Sequence, residues 1–106
     1  MLKKKLGVEG IEKDWLSDDE KLTNYYKIPP KLNIQEGCKR VGICVFEYCQ
    51  WLKKVIIPKS VDEIGDFAFY YCKNATMILR KSRKDFVRIG VRAFYCIKDV
   101  KEEVGN

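Results

Sequence analysis

The sequence predicts a repeat solenoid of mixed α+β character, with about three coils of 23–25 residues behind a partly helical N-terminal cap. Three observations carry this. Apolar positions recur in phase at a nearly constant spacing across about 70 residues, the signature of stacked supersecondary units. The residues before the first copy do not repeat but carry a helix-start signal. The chain has 106 residues, 46% hydrophobic and 34% charged, which suits one domain that is neither disordered nor membrane-spanning.

The repeat is clearest at an offset of 23, where Leu32 falls on Val55, Ile34 on Ile57, Cys38 on Val61 and Val41-Gly42 on Ile64-Gly65. Val45-Phe46 then falls on Ala68-Phe69, Tyr48-Cys49 on Tyr71-Cys72, and Leu52 on Ala75. In a third copy Ile78 takes the place of Val55, and a two-residue insertion brings Phe86 onto Val61 at an offset of 25. Ile89-Gly90 and Ala93-Phe94 follow, with Ile97 in the cysteine slot, Val100 in the Leu52 slot and Cys96 in the tyrosine slot. Val55 and Ile57 alternate, so both point to one face of a strand. Val61 and Ile64 return the chain along the opposite wall, and Phe69 and Cys72 fill the interior beside Leu52. Gly65 is expected to permit a turn with positive φ. One coil cannot bury these faces alone, and stacked coils can.

The stretch Leu52-Lys53-Lys54-Val55-Ile56-Ile57-Pro58-Lys59-Ser60-Val61-Asp62-Glu63-Ile64-Gly65-Asp66-Phe67-Ala68-Phe69-Tyr70-Tyr71-Cys72 resembles the BspA-type leucine-rich repeat. The pattern of that family is an alternating strand, Ile-Pro-x-Ser-Val, then Ile-Gly-x-x-Ala-Phe-x-x-Cys. The first copy carries Gln35 and Gly37 in place of the proline and serine, and the third places Arg80 where Ile57 stood. The third strand is therefore either distorted or shifted in register, with Met77 and Leu79 facing inward. The resemblance implies a non-enzymatic scaffold for protein–protein interaction. A short chain of this kind suits a small adaptor or an inhibitor.

The domain reading follows. Residues 1–31 form the cap, with Ser17 as N-cap and Glu20 closing a capping box, and Pro29-Pro30 ending it. Residues 32–106 form the repeats, divided 32–54, 55–77 and 78–102, with a short polar tail. That tail either caps the last coil or leaves an open end that could pair with a second copy.

Composition narrows the chemistry. Histidine is absent, which removes the commonest general base and metal ligand. Cys38, Cys44 and Cys49 lack zinc-knuckle spacing, and Cys38 and Cys49 fall on core slots, so they are expected to pack as small apolar groups. Asp62 and Glu63 are neighbours on a strand and cannot converge as an acid–base pair. The reading is of no enzyme, no cofactor and no metal. No leader and no apolar run of membrane-spanning length is evident, which leads to the expectation of a cytoplasmic protein without membrane contact, and leaves secretion of a processed form open.

Two surfaces remain as binding candidates. The net charge of +6 is uneven, with residues 78–106 carrying eight basic and four acidic side chains. Within them Arg80, Lys81, Arg83, Lys84, Arg88 and Arg92 face only Asp85 in sequence, so a basic loop is expected at the insertion. Its partner would be an acidic protein or, alternatively, nucleic acid or a ribonucleoprotein. The second surface is the outward sheet face, with Lys53, Lys54 and Ile56, and with Met77 and Leu79 if the third strand keeps its register. Phe46, Phe69, Phe86 and Phe94 are in core phase, so exposed stacking aromatics are not expected. Trp51 and Tyr70 fall out of core phase and are further candidates.

Overall fold

A computed structural model of the chain describes residues 30–104. The predicted helical cap lies almost wholly outside them. The described residues build a β-solenoid of about three coils with two parallel walls. The longer wall contains β1 (Lys31–Asn33), β3 (Lys54–Ile57), β5 (Thr76–Leu79) and β7 (Asp99–Glu102), hydrogen-bonded in that order. The shorter contains β2 (Arg40–Val41), β4 (Glu63–Ile64) and β6 (Arg88–Ile89). Among the described residues the helical content is one 3-10 turn at Arg83–Asp85. Every strand pairing is parallel, as it must be when each coil repeats the path of the one before.

The predicted columns exist. Leu32 pairs with Val55 and Val41 with Ile64. Leu32, Ile34, Cys38, Val41, Phe46, Cys49 and Leu52 are buried, as are Val55, Ile57, Val61, Ile64, Ala68, Phe69 and Cys72. The Phe46 and Phe69 rings stack at 5.2 Å between centroids, and Phe69 stacks on Phe94 at 6.0 Å, so one aromatic column runs through the core. Ser60 explains its motif position. Its hydroxyl accepts from the Gly37 amide and donates to the Cys38 carbonyl, both at 2.8 Å, tying two adjacent coils together.

Three expectations need correction. First, the third strand takes the shifted register. Met77 pairs with Val55 and Leu79 with Ile57, and both are fully buried. Ile78 is opposite Ile56 on the outer row. Burying two large side chains outweighs ungapped alignment, because a one-residue slip would turn both into water. The connection to the next wall is therefore longer than expected: Arg80 to Asp85, against Pro58 to Ser60 in the coil before. Second, Val100 does not occupy the Leu52 slot. It pairs with Met77 in β7, so residues 99–102 add a fourth strand to the longer wall.

Third, Gly65 is not a positive-φ residue; among the described glycines only Gly37 is, at 102°. A Cβ at Gly65 would come within 2.7 Å of the Gly42 carbonyl carbon and the Ile43 nitrogen. One at Gly90 would come within 2.4 Å of the Asp66 nitrogen and 2.6 Å of the Gly65 carbonyl carbon. This glycine column exists because successive backbones approach too closely for a side chain.

Left-handed backbone falls on non-glycine corner residues instead. Cys44, Phe67 and Arg92 form one column with φ of 53–58°, and Tyr48, Tyr71 and Cys96 another with φ of 57–62°. Such a conformation costs about 1–2 kcal/mol per non-glycine residue. It turns alternate amides toward the next coil: Cys44, Phe46 and Tyr48 donate to the carbonyls of Asp66, Ala68 and Tyr70. Phe67, Phe69 and Tyr71 donate likewise to Val91, Ala93 and Tyr95. The corner thus satisfies these amides between coils, and the intervening ones within a coil, as Ala68, Tyr70 and Cys72 donate to the carbonyls of Gly65, Phe67 and Phe69.

Candidate functional site

The structure redistributes the charge of the basic segment. Arg80 lies 3.2 Å from Glu103, Lys81 3.5 Å from Asp62, Arg83 3.9 Å from Glu102, and Arg88 2.8 Å from Asp66. Lys81 also packs over the Phe86 ring at 4.7 Å, and the Arg83 amide donates to Glu102. Asp66 accepts from the Val91 amide as well. The sequence shows only Asp85 beside these cations. Coil stacking supplies four carboxylates from the preceding coil and from the end of the described chain. Lys84 and Arg92 have no acidic partner among the described residues. Exposed pairs of this kind contribute little stability, about 0–1 kcal/mol each, yet they remove much of the positive field a polyanion would follow.

On the longer wall, the outward row through Lys31, Lys54, Thr76 and Asp99 runs beside one through Asn33, Ile56, Ile78 and Lys101. Lys53 and Lys54 are exposed and Ile56 is half-buried. Met77 and Leu79 belong to the core and offer nothing to a partner. Ile78, though on the outer row and outside the core cluster, is only 3% exposed. Ile56 and Leu79 therefore do not form an exposed apolar pair, and the wall contributes lysines around a half-covered isoleucine. Glu102 occupies an inward-phase position opposite Leu79 and remains exposed. A charge there discourages further strand addition to β7. The last described coil is less well covered than those before it, with Ile89, Phe94, Ile97 and Val100 only partly buried.

A third surface was not expected. Tyrosines gather on the corner between the two walls. Tyr48 and Tyr71 stack at 5.6 Å with rings 7° apart, and Tyr70 and Tyr95 at 5.5 Å with rings 17° apart. Edge contacts join the two stacks: Tyr48 to Tyr70 at 5.6 Å, Tyr70 to Tyr71 at 4.6 Å, and Tyr71 to Tyr95 at 5.7 Å. Tyr48 is 52% exposed and Tyr95 44%, so exposed stacked aromatics do exist here. Lys73 lies 5.9 Å from the Tyr71 ring centroid and Arg92 5.3 Å from that of Tyr95. Tyr70, already a candidate, belongs to this cluster, while Trp51 packs partly buried against the core. The available signal was the tyrosine in matching slots, Tyr48 and Tyr71, beside Tyr70 and Tyr95.

Three of the five thiols behave as packing groups. Cys38, Cys49 and Cys72 are buried, and the Cys72 thiol donates to the Phe46 carbonyl at 3.0 Å. A hydrogen bond with the Cys49 thiol, then burial, pushes the Cys72 thiol far above the ordinary range. A nucleophilic cysteine needs the opposite shift. Among the described residues no three His, Cys, Asp or Glu side chains gather as a metal site, and no helix is long and apolar enough to cross a membrane.

Parallel coils, a glycine column, a phenylalanine column and ladder-bonded corners define a leucine-rich-repeat solenoid. A family model described as the BspA type leucine rich repeat region, of 6 copies, matches residues 21–103, and the chain belongs to that family. Its repeats commonly mediate protein–protein interaction. No curated protein and no solved structure matches the chain.

Proposed function

We propose that this chain is a non-enzymatic protein-interaction module, a small adaptor or inhibitor. Its contact surface would combine the sheet-face residues Lys53, Lys54 and Ile56 with the outer parts of the 80–92 loop, where Lys84 and Arg92 keep uncompensated charge. The observation that carries this reading is the neutralisation of the loop: four of its six cations are within 4 Å of a carboxylate of the same chain. A surface of mixed sign suits a protein partner with its own charge pattern better than a polyanion. Nucleic-acid binding through residues 80–92 is the reading it displaces.

The test is capture of partners from lysate, with and without nuclease, by the wild type and by a Lys53→Glu/Lys54→Glu variant. Anisotropy with single- and double-stranded oligonucleotides at low salt runs beside it. A nuclease-resistant protein partner, weakened in the variant, is expected. Oligonucleotide binding that weakens steeply with salt, with no nuclease-resistant partner, would overturn the proposal.

A further inference from the structure

The tyrosine corner has properties that the interaction reading does not use. Its rings are immobilised by each other, so little side-chain freedom remains to be lost on binding. The left-handed residues Tyr48 and Tyr71 and the coil-to-coil amide ladder set their spacing from the backbone. Stacking uses one face of each ring and the edge contacts join the stacks, which leaves the hydroxyls and the outer edges of the exposed Tyr48 and Tyr95 as the presented chemistry. The hydroxyls of Tyr48, Tyr70 and Tyr95 make no hydrogen bond among the described residues. The Tyr71 ring lies 5.6, 4.6 and 5.7 Å from those of Tyr48, Tyr70 and Tyr95, so four phenols gather on one corner. Lys73 and Arg92 lie against this cluster and have no acidic partner among the described residues. Convergent donors beside two cations match an anion with several acceptor oxygens. Nucleobases would need free ring faces, and each of the four rings already turns one face to a neighbour, with Arg92 over Tyr95 as well.

We propose that Tyr48, Tyr70, Tyr71 and Tyr95, with Lys73 and Arg92, form a docking surface for an acidic segment of a partner protein. The partner's carboxylates accept from the phenols and face the two cations, and its apolar side chains pack on the ring edges. This rests on the protein-interaction reading and extends its contact surface from Arg92, which the two share, onto the corner.

The test is fluorescence anisotropy with labelled decapeptides that alternate glutamate with leucine, matched peptides carrying lysine in place of glutamate, and a ten-thymidine strand. The acidic peptide should bind and the lysine peptide should not. A Tyr48→Ser/Tyr95→Ser variant should weaken binding by about 10-fold or more, as for central aromatic contacts. A Lys73→Gln/Arg92→Gln variant leaves every ring in place; it should weaken binding similarly and melt within a few degrees of the wild type. Equal binding of the acidic and lysine peptides overturns the proposal. So does preference for the thymidine strand, or unchanged affinity in the Lys73→Gln/Arg92→Gln variant. If lysate capture of a nuclease-resistant protein survives while acidic peptides fail, the corner assignment is wrong and the interaction module stands. If no protein is captured and no peptide binds, both are wrong.

Discussion

Gly65→Ala should destabilise the protein by more than a surface loop substitution would. The added Cβ would lie 2.7 Å from two backbone atoms of the preceding coil, whereas ordinary contact begins at 3.4 Å. The coils would have to separate by about 0.7 Å at this point, given the stiffness of packed interiors. Neither contacting atom belongs to a side chain that could rotate away. Overpacking of this kind costs about 1–3 kcal/mol. Alanine also restricts the unfolded chain, which offsets about 0.4–1 kcal/mol. The net expectation is a loss of roughly 1–2 kcal/mol, or a melting point lower by about 4–15 °C for a domain of this size. Circular-dichroism melts and urea titrations measure it. Gly65→Asn separates the two explanations for the glycine. Were a positive φ the reason, asparagine would restore much of the stability, because it tolerates that conformation. Space is the reason, so asparagine should be no better than alanine. An alanine variant that melts at or above the wild type would refute the close-approach argument.

Further outcomes follow from other parts of the structure. Leu79→Ala should cost about 2–5 kcal/mol in urea titrations, as for a fully buried leucine; a change within 0.5 kcal/mol would show the outward register instead. Replacing Asp62, Asp66, Glu102 and Glu103 together by their amides should raise the salt needed to elute the protein from heparin, because it releases four loop cations. Unchanged elution would mean that the ion pairs do not mask the loop. Stability should fall on the alkaline side. The Cys72 proton is held in the folded protein, while the unfolded thiol releases it above its ordinary value near ~8.5. The unfolded state then binds fewer protons, so the contribution is complete below that pH and is lost as pH rises. The Tyr71 phenol, raised chiefly by Cys96, adds a decline in the same direction from about pH 10. Urea midpoints between pH 7 and 10.5 that stay level in the wild type would contradict this, and Cys72→Ala should flatten the first part of the decline.

The solenoid, its phase through the first two coils and most of the core are legible in the residues alone. These are properties of one coil: an alternating strand, a proline-serine turn and an apolar corner recur whether or not neighbours are known. Cys38, Cys49 and Cys72 were legible as core thiols for the same reason. The features that were not legible involve two coils at once. The register of β5 depends on what Met77 and Leu79 meet across the stack. Gly65 is a glycine because of the backbone of Gly42-Ile43 behind it, which no local rule contains. Left-handed φ at Phe67 and Tyr71 carries no residue-type signal, since neither is a residue that favours it. The basic segment reads as a bare charge run because its carboxylates arrive from 19 to 23 residues away. The tyrosine corner is likewise scattered in sequence, and it becomes a surface only when stacking sets its rings side by side. Local pattern specifies each coil, and the contacts between coils decide which groups face the partner.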